Sequence, residues 1–191
     1  MTKPLLNNCA LVTGASRNIG RAIAVELARM GAHIIVHVAN DKEAAAITVE
    51  EIKQVGSTAS IVSGDLSDET TANRIVSEAA AVQGRLDIIV NNAAIRPEAS
   101  FADLEFSEWK RVMGVNLDAV FLVSKAAVPF LSKSDNGAIV NLGGLTGHSG
   151  AGGRAHVITS KAGIVGLTKA MAHDLGSAGI TVNCISPGLI D

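Results

Sequence analysis

Along the chain, short runs rich in Val, Ile and Ala alternate with longer stretches whose apolar residues recur at helical spacing, and no linker or low-complexity segment interrupts them. The runs predict strands over residues 9–13, 33–38, 59–63, 86–90, 138–142 and 181–185. Several are nearly continuous in apolar residues, as parallel strands covered on both faces are. The helical spacing predicts helices over 19–30, 42–55, 69–83, 108–131 and 160–177. Gly31, Gly56, Gly84, Gly137 and Gly179 each stand between a helix and the next strand, where a residue tolerant of positive φ ends a helix. Six strands joined through helices predict an α/β protein, a Rossmann-type doubly wound parallel sheet in three layers, as one domain over 1–191.

Composition then narrows the function. Of 191 residues, 48% are hydrophobic and 18% charged, ample for one buried core. With 16 basic residues against 18 acidic ones there is no basic footprint, so nucleic acid is not an expected partner. No apolar run reaches the roughly 18 to 20 residues that span a bilayer, and residues 1–8 lack the apolar core of a leader, so no membrane is expected either. Cys9 and Cys184 both lie in apolar strand-like runs and are expected as buried thiols of a cytoplasmic protein. Tyrosine is absent from the chain.

The sharpest local feature is Val12-Thr13-Gly14-Ala15-Ser16-Arg17-Asn18-Ile19-Gly20-Arg21, a strand running into a tight turn and then a helix. In that setting backbone N–H groups and the positive end of a helix face an anion such as a pyrophosphate. The spacing is G-x-x-x-N-x-G rather than G-x-G-x-x-G. Asn18 takes the place of the middle glycine of a GxxxGxG pattern, and asparagine reaches the left-handed region more readily than most residues.

This turn, with Asn91-Asn92-Ala93-Ala94 after the fourth strand, Asn116 in a long helix, Lys161 in Ser160-Lys161-Ala162-Gly163 and Pro187-Gly188 after the last strand, resembles the classical short-chain dehydrogenases/reductases. Within them it is most similar to the β-ketoacyl-ACP-reductase-like subgroup, over essentially the whole chain and in the same order. The resemblance implies that Gly14, Ser16, Arg17, Asn18, Ile19 and Gly20 hold the phosphates of a nicotinamide cofactor. It further implies that Asp65 and Leu66 contact the adenine, that Asn92 and Ala93 flank the adenosine ribose, and that Pro187 and Gly188 belong to the cofactor site. Lys161 matches the lysine that holds the nicotinamide ribose hydroxyls, and Asn116 the residue that orders a proton-relay water. Ala94 replaces the usual glycine.

A site that prefers NAD(H) places a carboxylate at the end of the second strand, against the ribose hydroxyls. Here that place reads Val38, then Ala39 and Asn40, with the first acid at Asp41. Arg17 in the first turn could pair with a 2′-phosphate through charge-assisted bonds. NADP(H) is therefore expected over NAD(H).

The family's proton donor is a tyrosine four residues before the lysine, and a serine at the exit of the fifth strand holds the substrate oxygen. Four before Lys161 stands Val157, on the same helix face but without a proton to give, and the serine place falls on Gly144. Thr146 and His156 are the polar residues nearest in sequence that could border the pocket, although His156 stands about 100° around the helix from Val157. His148 beside Ser149 has no neighbouring acid to orient it. His33 and His37 share one strand face without a third ligand and are read as structural, so no metal is expected.

Taken together, the resemblance implies an NADP(H)-dependent oxidoreductase acting on a small carbonyl or alcohol substrate through an altered or weakened active site. The alternative is a non-catalytic nucleotide-binding or assembly protein of the same fold. Family members continue past the Pro-Gly turn into substrate-covering helices and a last strand, and this sequence is expected to stop before them. The helices around Asn116 and Val165 resemble those through which the family forms homodimers and homotetramers.

Overall fold

The computed structural model describes residues 3–188; the end of the chain at Asp191 lies outside them. Six strands form one parallel sheet: β1 (Cys9–Val12), β2 (His33–Val38), β3 (Ala59–Ser63), β4 (Ile88–Asn91), β5 (Ala138–Leu142) and β6 (Thr181–Ile185). Their spatial order is β3-β2-β1-β4-β5-β6, the doubly wound order, which reverses direction between β1 and β4. The connecting helices are α1 (Asn18–Arg29), α2 (Lys42–Gln54), α3 (Glu69–Gln83), α4 (Phe106–Met113), α5 (Ala119–Leu131), the single turn α6 (Thr146–Ser149) and α7 (Ala155–Leu175).

Alternation along the strands divides the core into two layers. Ala10, Val12, Ile34, Val36 and Val90 face α1 and α2, where Ala24, Ala28 and Ile52 are buried. Cys9, Leu11, Ile35, Ile89 and Ile139 face the other way, onto Ile75, Ala79, Val123 and Leu131 of α3 and α5. Both faces of the central strands are covered, so their near-continuous apolar character follows from their position.

The helices depart from expectation at their ends. The long helix begins at Phe106 and is broken by a π-helical turn at Gly114–Asp118, a feature that often marks a functional site. On length and composition alone, the continuous stretch Phe106–Leu131 could cross a membrane. Its buried residues, Val112, Asn116, Val123 and Leu131 among them, make it a core helix of this domain instead. The last helix starts at Ala155 rather than at residue 160, which carries Val157 and Lys161 on one continuous helix. Of the five inter-element glycines, Gly31, Gly56, Gly84 and Gly179 take positive φ. Gly137 does not, and its requirement is steric, since a Cβ there would lie 2.6 Å from the Leu131 carbonyl oxygen.

The thiols differ from each other. Cys9 is buried, and burial, reinforced by Asp87 and opposed by Arg85, pushes its thiol up to about 12, so it is inert at neutral pH. Cys184 is only half-buried, a correction to its expected burial: β6 is the edge strand and covers it on one side alone.

Candidate functional site

Parallel strands deliver all their exits to one edge of the sheet, and the sequence-predicted site residues gather there, around the crevice between β1 and β4. After β1 the chain turns at Gly14 (φ +62°) and again at Asn18 (φ +50°), so asparagine does take the left-handed place. Gly20 is held against the same turn: a Cβ on it would lie 2.3 Å from the Gly14 carbonyl oxygen and 2.4 Å from Asn92 Nδ2. Asn92 accounts for that closeness, because its Nδ2 donates to the Thr13 and Gly14 carbonyls at 2.9 and 3.1 Å. The Thr13 hydroxyl in turn accepts from the Asn92 and Ala93 N–H groups. Asn92 and Ala93 thus brace the turn from β4.

Arg21 braces it from α1. Its guanidinium donates to the Ser16 carbonyl and to Thr48 Oγ1 and pairs with Glu51, while Thr48 donates to the Ala15 carbonyl at 3.0 Å. Two of the turn's own donors are spent inside the protein, Gly14 N–H on His37 Nδ1 and Ala15 N–H on the His37 carbonyl. No side chain caps α1. Among the described residues nothing accepts from the N–H groups of Ser16 to Gly20, which leaves a concave row of free donors at a helix N-terminus.

The residues expected to contact the adenine lie in the turn after β3. Leu66 is buried, and the exposed Asp65 accepts from Ser67 N–H and Oγ in the turn after β3. Asp41, the first acid after β2, is occupied as the N-cap of α2, where it accepts from Ala44 N–H at 2.9 Å. Arg17 is exposed and forms no ion pair among the described residues.

On the other side of the crevice, Lys161 is buried and its Nζ donates to the Leu142 carbonyl at 2.6 Å. Burial, with the nearby positive charge of Arg96 and against the influence of Cys184, lowers its ammonium to about 8. It stays protonated at pH 7 and keeps two donors unspent on that carbonyl. Asn116, fully buried in the π-helical turn, accepts from Ile95 N–H and donates to the Ile95 carbonyl and to Ser160 Oγ. Ser160 donates to the Val157 carbonyl. Asn116 therefore locks the loop after β4 onto α7 at the level of Val157. Val157 is buried, and a side chain on Gly144 would meet only ordinary contacts, 3.8 Å to Lys161 Cγ and 3.9 Å to Thr146 Oγ1. Pro187 lies close by, its carbonyl accepting from Leu145 N–H, and a Cβ on Gly188 would lie 3.7 Å from the Leu145 side chain.

The sequence reading of His156 changes here. Thr146 borders Gly144 as expected, whereas His156 is fully buried and neither of its ring nitrogens has a hydrogen-bond partner among the described residues. The helix rotation already placed it off the Val157 face. His148 pairs with Ser186 Oγ at 3.2 Å rather than with Ser149, whose hydroxyl donates to the Leu145 carbonyl. Among the described residues no three His, Cys, Asp or Glu side chains converge as a metal site would need. An unsatisfied buried imidazole costs stability, so His156→Leu is expected to stabilise the chain by about 1 to 3 kcal/mol. A thermal melt checks this, and a lowered midpoint would speak for a partner the ring does possess.

Two further groups brace the site, one read from sequence only as structural and one not foreseen. His37, at the end of β2, joins the turn to the β3 exit through bonds to residues 23 and 27 positions away. A buried amide chain runs from Asn91 to Asn141 and Ser124, and from Asn141 to Thr168, tying β4 and β5 to α5 and α7. Nothing local announces either, apart from polar residues at the ends of apolar runs.

A doubly wound α/β sheet with free donors at the N-terminus of its first helix and a buried lysine at the exit of β5 is the architecture of a dinucleotide-binding protein. Comparison with known proteins agrees: residues 8–191 match the short chain dehydrogenase family. The 3-oxoacyl-(acyl-carrier-protein) reductase FabG of Staphylococcus aureus is 40% identical over 185 residues, which cover 97% of this chain and 75% of that protein. The short-chain dehydrogenase/reductase FrzI of a Cladobotryum species is 39% identical over 188 residues, 98% of this chain and 72% of its own length. Among solved structures, a short chain dehydrogenase from Burkholderia cenocepacia in complex with NADP superposes with a TM-score of 0.94 at 36% identity, covering 98% of this chain and 76% of that one. A short-chain alcohol dehydrogenase from Sinorhizobium meliloti, described as putative, gives 0.95 at 35% identity, over 100% of this chain and 75% of its own. The chain belongs to the short-chain dehydrogenase/reductase family of oxidoreductases, in its β-ketoacyl-ACP-reductase-like subgroup.

Proposed function

We propose that the chain binds a nicotinamide dinucleotide, NADP(H) in preference to NAD(H), and acts on a small carbonyl or alcohol substrate through a weakened active site. The row of free N–H donors from Ser16 to Gly20 carries this reading, because it offers a pyrophosphate several hydrogen bonds and the positive end of α1. The residues fit the group. Asp65, Leu66, Asn92 and Ala93 are assigned to the adenosine side, Lys161 has donors left for the nicotinamide ribose hydroxyls, and Pro187 and Gly188 lie against Leu145. When bound, the nicotinamide supplies or accepts a hydride. Asn116 fixes the β4 exit against α7, and the Lys161 ammonium lends positive charge where a substrate oxygen gains negative charge. Val157 and Gly144 stand in the places of the family's tyrosine and serine and donate no proton, so the substrate oxygen draws its proton from Thr146 or solvent.

Preference for the 2′-phosphate is supported by the neutral end of β2, by the use of Asp41 as a helix cap and by the exposed Arg17, which forms no ion pair among the described residues. Arg17→Ala is expected to weaken NADPH by about 10- to 100-fold and NADH by less than about 3-fold, one lost charge-assisted pair being worth roughly 1.5 to 3 kcal/mol. Equal losses for both cofactors, measured by fluorescence titration, would remove Arg17 from the phosphate site. The face shared by the π-helical turn, α5 and α7, where half-buried Leu117 and Leu167 and exposed Phe121 surround an open hollow, suits a second copy of the chain and supports a homo-oligomer. The absence of a proton donor at Val157 and Gly144 also favours a second reading, a nucleotide-binding protein that has given up turnover while keeping the cleft.

A further inference from the structure

Among the described residues His37 is the one buried titratable side chain hydrogen-bonded to the first turn. It is 2% exposed, at the end of β2. Gly14 N–H donates to its Nδ1 at 3.3 Å, which makes Nδ1 the acceptor and places the ring proton on Nε2. Nε2–H then donates to the Gly64 carbonyl at 3.0 Å. The main chain adds a third tie, since the His37 carbonyl accepts from Ala15 N–H at 3.0 Å. One residue thus clamps the first turn and, through Gly64, the neighbouring Asp65 on the adenine side.

We propose that His37 is a positioning residue for the cofactor site, a neutral imidazole that holds Gly14 and Gly64 in register and loosens the turn when it takes up a proton. The proposal rests on the reading that this turn holds a dinucleotide. On protonation Nδ1 becomes a donor facing the Gly14 N–H donor, and one of the two must withdraw. The charged residues on the elements around His37 are Arg17 and Arg21 of α1 and its cap, Asp41, Lys42 and Glu51 of α2 and its cap, and Asp65 after β3. Of these only Asp65 acts on the ring electrostatically. Burial lowers the His37 pKa, and the Gly64 bond and Asp65 offset that only in part, so the ring is neutral at pH 7. Since the folded-state value lies below the ordinary 6.5, the tie is complete above about pH 6.5 and is lost as the pH falls through that folded value.

The test is calorimetric titration of the whole chain with NAD+ and with NADP+ at pH 7.5 and at a lower pH at which NMR shows the His37 ring protonated in the folded chain, alongside His37→Asn and His37→Leu. Asparagine offers an acceptor to Gly14 N–H and does not titrate, whereas leucine offers none. NAD+ lacks the 2′-phosphate, a group whose own protonation near pH 6 would otherwise contribute. The unaltered chain is expected to lose about 10-fold of its NAD+ affinity between the two pH values, the size of one neutral hydrogen bond. His37→Asn is expected to bind within about 3-fold at pH 7.5 and to show a flat profile, and His37→Leu to bind about 10-fold more weakly at pH 7.5. If NADP+ alone binds, the His37→Asn profile gives the share due to the 2′-phosphate, and the unaltered chain must be steeper. Binding with a pH-flat unaltered chain, or an equal decline in His37→Asn, overturns the proposal alone. No binding of either nucleotide at pH 7.5 overturns the cofactor reading and the proposal with it.

Discussion

Replacing Val157 by tyrosine together with Gly144 by serine is expected to raise NADPH-dependent carbonyl reduction by about 100- to 10,000-fold, the ordinary worth of a positioned acid. Val157 and Lys161 lie one helical turn apart on α7, so a phenol at 157 shares the face of the lysine ammonium. That ammonium is buried and positively charged at neutral pH, and a positive neighbour lowers the pKa of a phenol. The serine needs no rearrangement, because the nearest atoms to a Cβ at 144 stand at 3.8 and 3.9 Å. The two changes act on one substrate oxygen and are expected to exceed the product of their single effects. Steady-state turnover of a panel of small ketones, with the melting temperature as a control for folding, decides the matter. A folded, cofactor-binding double variant with no gain in turnover would favour the non-catalytic reading.

The second large effect falls on the turn. Gly20→Ala is expected to weaken NADPH binding by at least about 100-fold and to lower the melting temperature by on the order of 10 °C. The added Cβ would lie 2.3 Å from a backbone oxygen, which no rotamer change relieves, and 2.4 Å from Asn92 Nδ2. Moving Asn92 away would forfeit its bonds to the Thr13 and Gly14 carbonyls, so the cost spreads from α1 to β4. By contrast, alanine at Gly56, whose Cβ would meet open space, can disturb only local backbone and leaves the cleft intact. Titration of the two variants side by side separates a site effect from the general cost of replacing a glycine.

Much of the fold was legible because the central strands are buried on both faces, which writes them into the chain as apolar runs bounded by glycine. The helix starts were less so. Val157, Ile158 and Thr159 form a β-branched run that reads against helix, yet packing of α7 against α4 and the π-helical turn decides the matter. The π-helical turn and the single turn of α6 carry no periodic signal, since each is shorter than two helical turns. Within the site, the Gly14–Gly20 turn declared itself through local spacing, and Asn18 in the left-handed region matched its chemistry. His37 and the Asn91–Asn141 pair did not, because their partners lie far along the chain and come together only when the strands align.

The account stands on a working dinucleotide cleft, and the most direct test is a titration of the unaltered chain with NADPH, followed by nicotinamide fluorescence, with Gly20→Ala in parallel. Saturable binding that is lost in the variant is the predicted result. Absence of binding by the folded, unaltered chain would contradict the account, leaving the free donors of the turn without the ligand assigned to them.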